Sequence, residues 1–423
     1  MRKIIRLIGM SLAIVIASLA LISCTTNNTS KSQAPTIEWV KGYGNPNGGH
    51  VHHGLQTNDG GYIGVGTSSL GEDEKYVGLI IKVDSIGNKE WLTNVGSDDN
   101  SDYGFVNQVI ETKDGKYIVG GALSINGEQD RALFFLDSEG NLTAQQTFPG
   151  EGYDAIESID FTKDGGIVAT GYINGDEPGG FIINGGKCIL MKTDMSGNLE
   201  WDKTLDPVFH GMRVLQAPDG GYAVCSNIQR GNTEDLDFCL LKTDNKGDLT
   251  WYKSYGGEEL ENCYDFDLAH DSGFILGGHT RTYAKVIGGW DAWLVKTDKN
   301  GNLQWHKSFG EPLGGDPLWI YDEAYGVKST LDGGYVLAAG TGVEPENVVD
   351  DNNPNNFWSS YVMKTDAGGE LQWEHIYKKD GVHNAAEYIN ICKDGGYIVF
   401  LDADGFMDNG ANAFGFLKLA AEK

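Results

Sequence analysis

Two groups of residues in this sequence have the types and spacing for chemistry. Asp102, Asp154, Asp322 and Glu323 are acidic residues beside aromatic ones, and two carboxylates held about 5 to 10 Å apart, one with a raised pKa, cleave glycosidic bonds. They are the candidate catalytic residues of a carbohydrate-active enzyme, a glycoside hydrolase or lyase. His50-Val51-His52-His53 is the densest histidine cluster. Alternation along an extended segment puts His50 and His52 on one side, as candidate ligands for a divalent metal alongside carboxylates. His53, Tyr103, His210, Tyr264, Tyr325 and His383 lie in comparable surroundings and are candidate ligand-binding groups. Trp290 and Trp358, with Trp293, Trp319 and Phe357, offer flat faces for stacking on a sugar or a partner. The sequence has no nucleophile elbow, phosphate-binding glycine loop or zinc-protease motif. A non-catalytic binding surface is therefore the leading expectation, and the enzyme is the alternative.

A repeat must position these groups. Asp59-Gly60-Gly61-Tyr62, Asp114-Gly115-Lys116-Tyr117, Asp164-Gly165-Gly166-Ile167, Asp219-Gly220-Gly221-Tyr222, Asp271-Ser272-Gly273-Phe274, Asp332-Gly333-Gly334-Tyr335 and Asp394-Gly395-Gly396-Tyr397 are seven copies of one motif, 50 to 62 residues apart. Each lies between runs of alternating apolar and polar residues, the pattern of a tight hairpin whose glycine supplies positive φ. A second motif, Lys-Thr-Asp-x-x-Gly-Asn-x-x-Trp, alternates with the first at Lys82 to Trp91, Lys192 to Trp201, Lys242 to Trp251, Lys296 to Trp305 and Lys364 to Trp373. A degenerate copy at Asp137 to Asn141 has Ala144 where tryptophan is expected. The aspartate suits a turn that its own carboxylate caps, and the spacing lacks the dense acidic pattern of a calcium loop.

Between consecutive motifs there is room for four short strands, and no segment has a helical apolar period. The fold class is therefore all-β: a single seven-bladed β-propeller with four antiparallel strands per blade. The last repeat stops after Phe414 to Leu419, without its tryptophan strand. Thr36 to Gly44 reads like that strand, so the N-terminal strand is expected to close the ring and remove exposed edges.

The Asp-x-x-Gly-x-x-x-Trp pattern is similar to the tryptophan-docking motif of quinoprotein-type (PQQ-like) propellers, and the Asp-Gly-Gly-Tyr copies look like those of bacterial secreted propeller proteins. The resemblance covers residues 36 to 419 and implies the fold. Quinone-dependent dehydrogenases of that type are expected to carry adjacent cysteines beside the cofactor. No two cysteines are adjacent here, so no cofactor is expected. The first-to-second and third-to-fourth turns of a blade share one face. The long segments 173–186, 281–289, 342–357 and 403–412, with the loops before each first strand, then share the other, which is the expected binding face.

Arg2, Lys3 and Arg6 precede an apolar run from Leu12 to Ile22, the layout of a secretory signal. Leu21-Ile22-Ser23-Cys24 resembles the lipobox of bacterial lipoproteins, which implies a lipid on Cys24. The expected organisation is a lipoprotein signal peptide over 1–24, a flexible tether over 25–35 and the propeller over 36–423. The expected location is the cell envelope, extracytoplasmic and held to the membrane by that lipid, as a monomer whose partner is a glycan or an envelope protein. The chain has 60 acidic against 32 basic residues, three of the latter inside the signal. Such a surface repels nucleic acid. Five cysteines follow Cys24, an odd number among strand-like residues, so buried free thiols are expected, with a Cys225 to Cys239 bridge left open.

Overall fold

The computed structural model describes residues 32–44, 49–69, 76–96, 103–176, 186–231, 235–285, 289–310, 321–343, 356–379, 381–403 and 414–422. Among them are 28 strands and no helix. Strand β1 is Ile37–Tyr43, and sets of four follow it. They are β2 to β5 (Gly49–Gln56, Tyr62–Ser69, Tyr76–Val83, Lys89–Val95), β6 to β9 (Tyr103–Glu111, Tyr117–Ile125, Glu128–Leu136, Leu142–Phe148) and β10 to β13 (Tyr153–Phe161, Gly166–Gly175, Lys187–Asp194, Leu199–Thr204). Next come β14 to β17 (Gly211–Gln216, Tyr222–Gln229, Leu236–Thr243, Leu249–Tyr255), β18 to β21 (Glu261–Leu268, Phe274–Thr280, Asp291–Thr297, Leu303–Phe309) and β22 to β25 (Tyr321–Ser329, Tyr335–Gly342, Ser359–Thr365, Leu371–Tyr377). The chain ends with β26 to β28 (Ala386–Ile391, Tyr397–Asp402, Phe414–Leu419).

Each set pairs antiparallel in chain order, and a single parallel bridge from Tyr153 to Gln129 joins the second and third sets. β1 pairs with β28, Trp39 opposite Lys418 and Tyr43 opposite Phe414, so the last sheet is built from both ends of the chain. First strands of successive sets lie side by side, and β2 packs against both β6 and β26. This is the arrangement of a β-propeller. Second and third strands such as β7, β20 and β24 are almost wholly buried between neighbouring sheets, which is why they read as continuous apolar runs.

The tryptophan of each fourth strand docks on a turn of the next set. The glycine there has positive φ, and a Cβ on it would collide with the ring: Gly87 with Trp39 at 2.9 Å, Gly140 with Trp91 at 2.5 Å, Gly247 with Trp201 at 2.6 Å, Gly301 with Trp251 at 2.7 Å and Gly369 with Trp305 at 2.8 Å. Where Ala144 replaces tryptophan, the ring of Phe135 covers Gly197 instead. Phe135 stands at the position of the motif lysine. Elsewhere that lysine is buried and binds the aspartate of the Asp-Gly turn: Lys82 with Asp59 at 2.9 Å, Lys242 with Asp219 at 2.9 Å, Lys296 with Asp271 at 2.8 Å and Lys418 with Asp394 at 2.9 Å. In the second set, which lacks it, Asp114 pairs with Lys116 at 2.8 Å. The motif aspartates cap their own turns as expected, Asp84 Oδ1 accepting from the backbone of Ile86 and Asn88.

The N-terminal segment also supplies the turn that the last set lacks. The Tyr43 hydroxyl donates to Gly87 O at 2.6 Å and the Tyr255 hydroxyl to Gly301 O at 2.7 Å. In the sixth set the Tyr377 hydroxyl donates to Pro35 O at 2.7 Å, and Ala34 packs against the same core. Packed structure thus begins within the last residues of the expected tether. Cys225 and Cys239 do not pair; they are separate buried thiols, as are Cys188, Cys263 and Cys392. Trp293 is not a loop residue but lies in β20, 2% exposed. Cys24 and the signal, Asp102, Trp319 and most of the four long segments lie outside the described residues.

The Asp-Gly turns place their second residue at positive φ, 76° at Gly115 to 90° at Gly60 and Gly220, and Ser272 holds that place at 65°. A left-handed non-glycine residue costs on the order of 1 kcal/mol. Ser272→Gly is therefore expected to stabilise the protein by up to about 1 kcal/mol, less the entropy of the freer unfolded chain. A thermal or urea melt reads this, and a lower midpoint would contradict the turn assignment.

Candidate functional site

In each pair formed by a first and a second strand, the register skips one residue near the middle of the first strand. The skipped residues are His52, Asn107, Glu157, Met212, Tyr264, Tyr325 and Glu387. A bulge re-aims its side chain, and these seven, with Arg213, line one cavity of about 30 Å³. That is room for on the order of one or two waters. Each skipped residue lies seven positions before the aspartate of its Asp-Gly turn. His52, Tyr264 and Tyr325 were expected at the site; Asn107, Glu157, Met212 and Glu387 were not, although the constant offset marks them in the sequence.

Around this ring the polar groups are held by one another. His50 Nδ1 lies 2.6 Å from Asp402 Oδ2, and Val51 N donates to Asp402 Oδ1 at 3.2 Å. Burial pushes the His50 pKa down, but the charge and hydrogen bond of Asp402 outweigh it and lift the imidazole to about 9. His52 is pushed down to about 3 by burial and by His50, and its Nδ1 meets Asn107 Oδ1 at 2.7 Å. Glu387 is lifted by burial to about 8, against the pull of His50 and with the help of Asp402 and Glu323. His53 is buried against the Tyr388 ring and driven to its neutral form by burial and the nearby Arg213 and Lys328. Deeper, Asp265 accepts from Lys328 Nζ at 2.7 Å and from Val327 N at 3.0 Å, and Arg213 Nε lies 3.6 Å from it.

The expected catalytic acids are not assembled as a pair around the cavity, whose lining includes neither Asp154, Asp322 nor Glu323. Asp154 is fully buried and accepts from Asn174 N at 2.9 Å, clamping the end of its own hairpin. Glu261 does the same in its set, accepting from Thr280 Oγ1 at 2.9 Å and Gly257 N at 3.1 Å. Asp322 is buried, its backbone N–H donating to Trp290 O at 2.8 Å, and Glu323 accepts from the Tyr325 hydroxyl. The other candidates are likewise engaged. Tyr103 donates to Gln129 Oε1 at 2.9 Å, His210 lies 3.3 Å from Glu157, and Tyr264 packs on Tyr325 with ring centres 4.9 Å apart. Trp290 lies against His279 at 4.1 Å with the Arg281 guanidinium over it at 5.6 Å. Trp358 covers Gly340 and Gly342, and its backbone N–H donates to His383 Nδ1 at 3.1 Å.

A larger space lies between sheets, along β17 and β21. This groove of about 660 Å³ is lined by Tyr252, Lys253, Tyr255, Tyr283, Trp293 and His306, among others. Tyr252 is 46% exposed. Tyr283 stacks on Trp293 with centres 5.3 Å apart, and its hydroxyl donates to Gly256 O at 3.0 Å. Trp293 Nε1 donates to His306 Nδ1 at 3.2 Å, and burial lowers the His306 pKa. The imidazole is thus the neutral tautomer with Nε2–H as its donor. Trp293 stands where other sets have Leu79, Ile189 or Cys239, and His306 follows the docking Trp305. The sixth set has an aromatic residue, Tyr361, at the same position, but the tryptophan and histidine pair is particular to this sheet.

No family model matches the chain, and no curated protein matches it in sequence. Among solved structures it is similar to the Pan2 WD40 domain of Neurospora crassa, with a TM-score of 0.55 at 11% identity over 93% of this chain and 97% of that one. It is also similar to YCF48 bound to D1 peptide, with a TM-score of 0.50 at 10% identity over 93% of this chain and 99% of that one. A protein of unknown function from Bacteroides caccae aligns with a TM-score of 0.44 at 11% identity over 76% of this chain and 97% of that one. The first two likenesses are of fold, and the fold is the propeller.

The structural role of Asp154 has a pH signature. Burial outweighs the Asn174 N–H and Arg131, 3.7 Å away, and lifts Asp154 from 3.8 to about 6. A raised carboxyl favours the fold fully below its unfolded pKa, and that advantage is lost as pH rises through the folded value. Asp154→Asn, neutral throughout, is expected to gain on the wild type by on the order of 1–2 kcal/mol between about pH 4.5 and 7.5. Urea titrations of both proteins at the two pH values measure this. An unchanged difference would refute the clamp.

Proposed function

We propose that this chain is a non-catalytic, glycan-binding propeller of the cell envelope, with seven blades closed by β1 and docked by tryptophan as in quinoprotein-type propellers. Cys24 carries the lipid, residues 25–31 are the spacer, and the acidic surface keeps the protein off nucleic acid. The observation that carries the binding role is the groove between β17 and β21. Its 660 Å³ falls within the range of small-ligand sites, roughly 300–1,000 Å³. The axial cavity is too small for a sugar ring.

The groove also has the mixed character a sugar requires. Tyr252 and Tyr283 offer ring faces to the C–H side of a pyranose, while His306, Lys253, Ser254 and Asn302 offer donors and acceptors to its hydroxyls. The catalytic alternative loses support because Asp154 is committed to its hairpin and Glu323 to the Tyr325 hydroxyl.

A glycan array with purified residues 25–423, run beside a reducing-sugar assay, tests the reading. Binding without release of reducing ends is expected, weakened about tenfold by Tyr252→Ala or His306→Ala. A blank array would remove the glycan and leave an envelope protein as the partner. Turnover would overturn the non-catalytic assignment.

A further inference from the structure

We propose that His50, Glu387 and Asp402 form a divalent transition-metal site where the first sheet meets the last. His50 comes from β2, Glu387 from β26 and Asp402 from the end of β27. One ligand atom of each lies within 4.8 Å of the others. Donors about 2.0–2.2 Å from one tetrahedral ion lie roughly 3.3–3.6 Å apart, so the trio closes on an ion with a shift of about an ångström. One imidazole and two carboxylates suit zinc or manganese rather than calcium, which takes oxygen ligands alone.

A second, separate observation points to a cation. Glu387 is 7% exposed and accepts no hydrogen bond from any described residue, yet it is a bulged residue aimed into the axial cavity. A buried carboxylate without a donor is costly, and an ion is the partner that offsets the cost. The surroundings supply an outer layer. Val51 N–H holds Asp402 Oδ1, and the His52 ring meets His50 edge-on at 4.8 Å while Asn107 fixes its Nδ1 side. The cavity beneath has room for the water that would complete the coordination. On binding, the proton between His50 and Asp402 and the proton that the Glu387 carboxyl carries at neutral pH both leave for solvent, and the ion takes their place. Because β2 begins the first sheet and β26 and β27 belong to the last, the ion would tie the two ends of the repeat together.

The test uses the purified chain of residues 25–423, stripped with chelator and dialysed against zinc or manganese chloride. We expect about one equivalent by elemental analysis, a melting midpoint that rises with the ion, and uptake cut about tenfold or more by Glu387→Gln and by Asp402→Asn. Leu331→Ser, on the turn side and 88% exposed, serves as a control that retains uptake. Absence of stoichiometric metal in the wild type overturns the proposal whether or not the variants fold. Undiminished uptake by folded Glu387→Gln also overturns it. Glycan binding is scored separately on the same samples, so loss of one property leaves the other readable.

Discussion

One contact recurs between neighbouring sheets at five places in this molecule: a tryptophan ring of one fourth strand laid on the turn glycine of the next set. The glycine is required twice over, because its φ is positive and because a Cβ would enter the ring. The ring buries its face where the neighbouring turn has no side chain, and the turn is in turn fixed by its own aspartate. Inside every set but the second a buried lysine joins the hairpin turn to the third strand. Such pairs contribute register and orientation more than net stability, since the lysine is desolvated while its aspartate is about half exposed. The turn side is thereby committed to holding the sheets, and the opposite side and the axis are left to vary.

That division of labour is visible in which positions repeat. Aspartate, glycine, lysine and tryptophan recur because the same turn and the same contact recur. The seven bulged residues at the axis share a position and a geometry but not a chemistry: two acids, a histidine, an amide, two tyrosines and a methionine's thioether are brought to one small cavity. The sheet of β18 to β21 departs in the same way, with Trp293 and His306 added to an otherwise standard frame.

The fold was legible because its determinants are local. Asp-Gly at fixed offset forces a hairpin, and the match of Thr36 to Gly44 with later fourth strands foretells the pairing of β1 with β28. The sites were less legible because they depend on departures from simple alternation. A strict period of two marks His50 and His52 but misses Glu387 and Asp402, since a bulge redirects one and a strand end carries the other. Asp154 looks like a catalytic acid from its neighbour Tyr153, yet it turns under its own hairpin. Trp293 follows an irregular segment and so looks like a loop aromatic, whereas its phase with Lys296 places it inside β20. The second set illustrates compensation that pairwise motif matching overlooks: Phe135, Lys116 and Ala144 differ from the pattern together, and each difference accommodates another.

The mixed origin of the last sheet, with Pro35 O standing in for a turn glycine, has a temporal consequence. The opening strand emerges from the ribosome first and finds its hydrogen-bonding partner only when the final strand is complete. Through synthesis and any translocation it remains a solitary edge, with Glu38 and Lys41 as its charged guards against mispairing. The last sheet is complete only once Phe414 to Leu419 has been made, since both β1 and β27 find their partner in that strand.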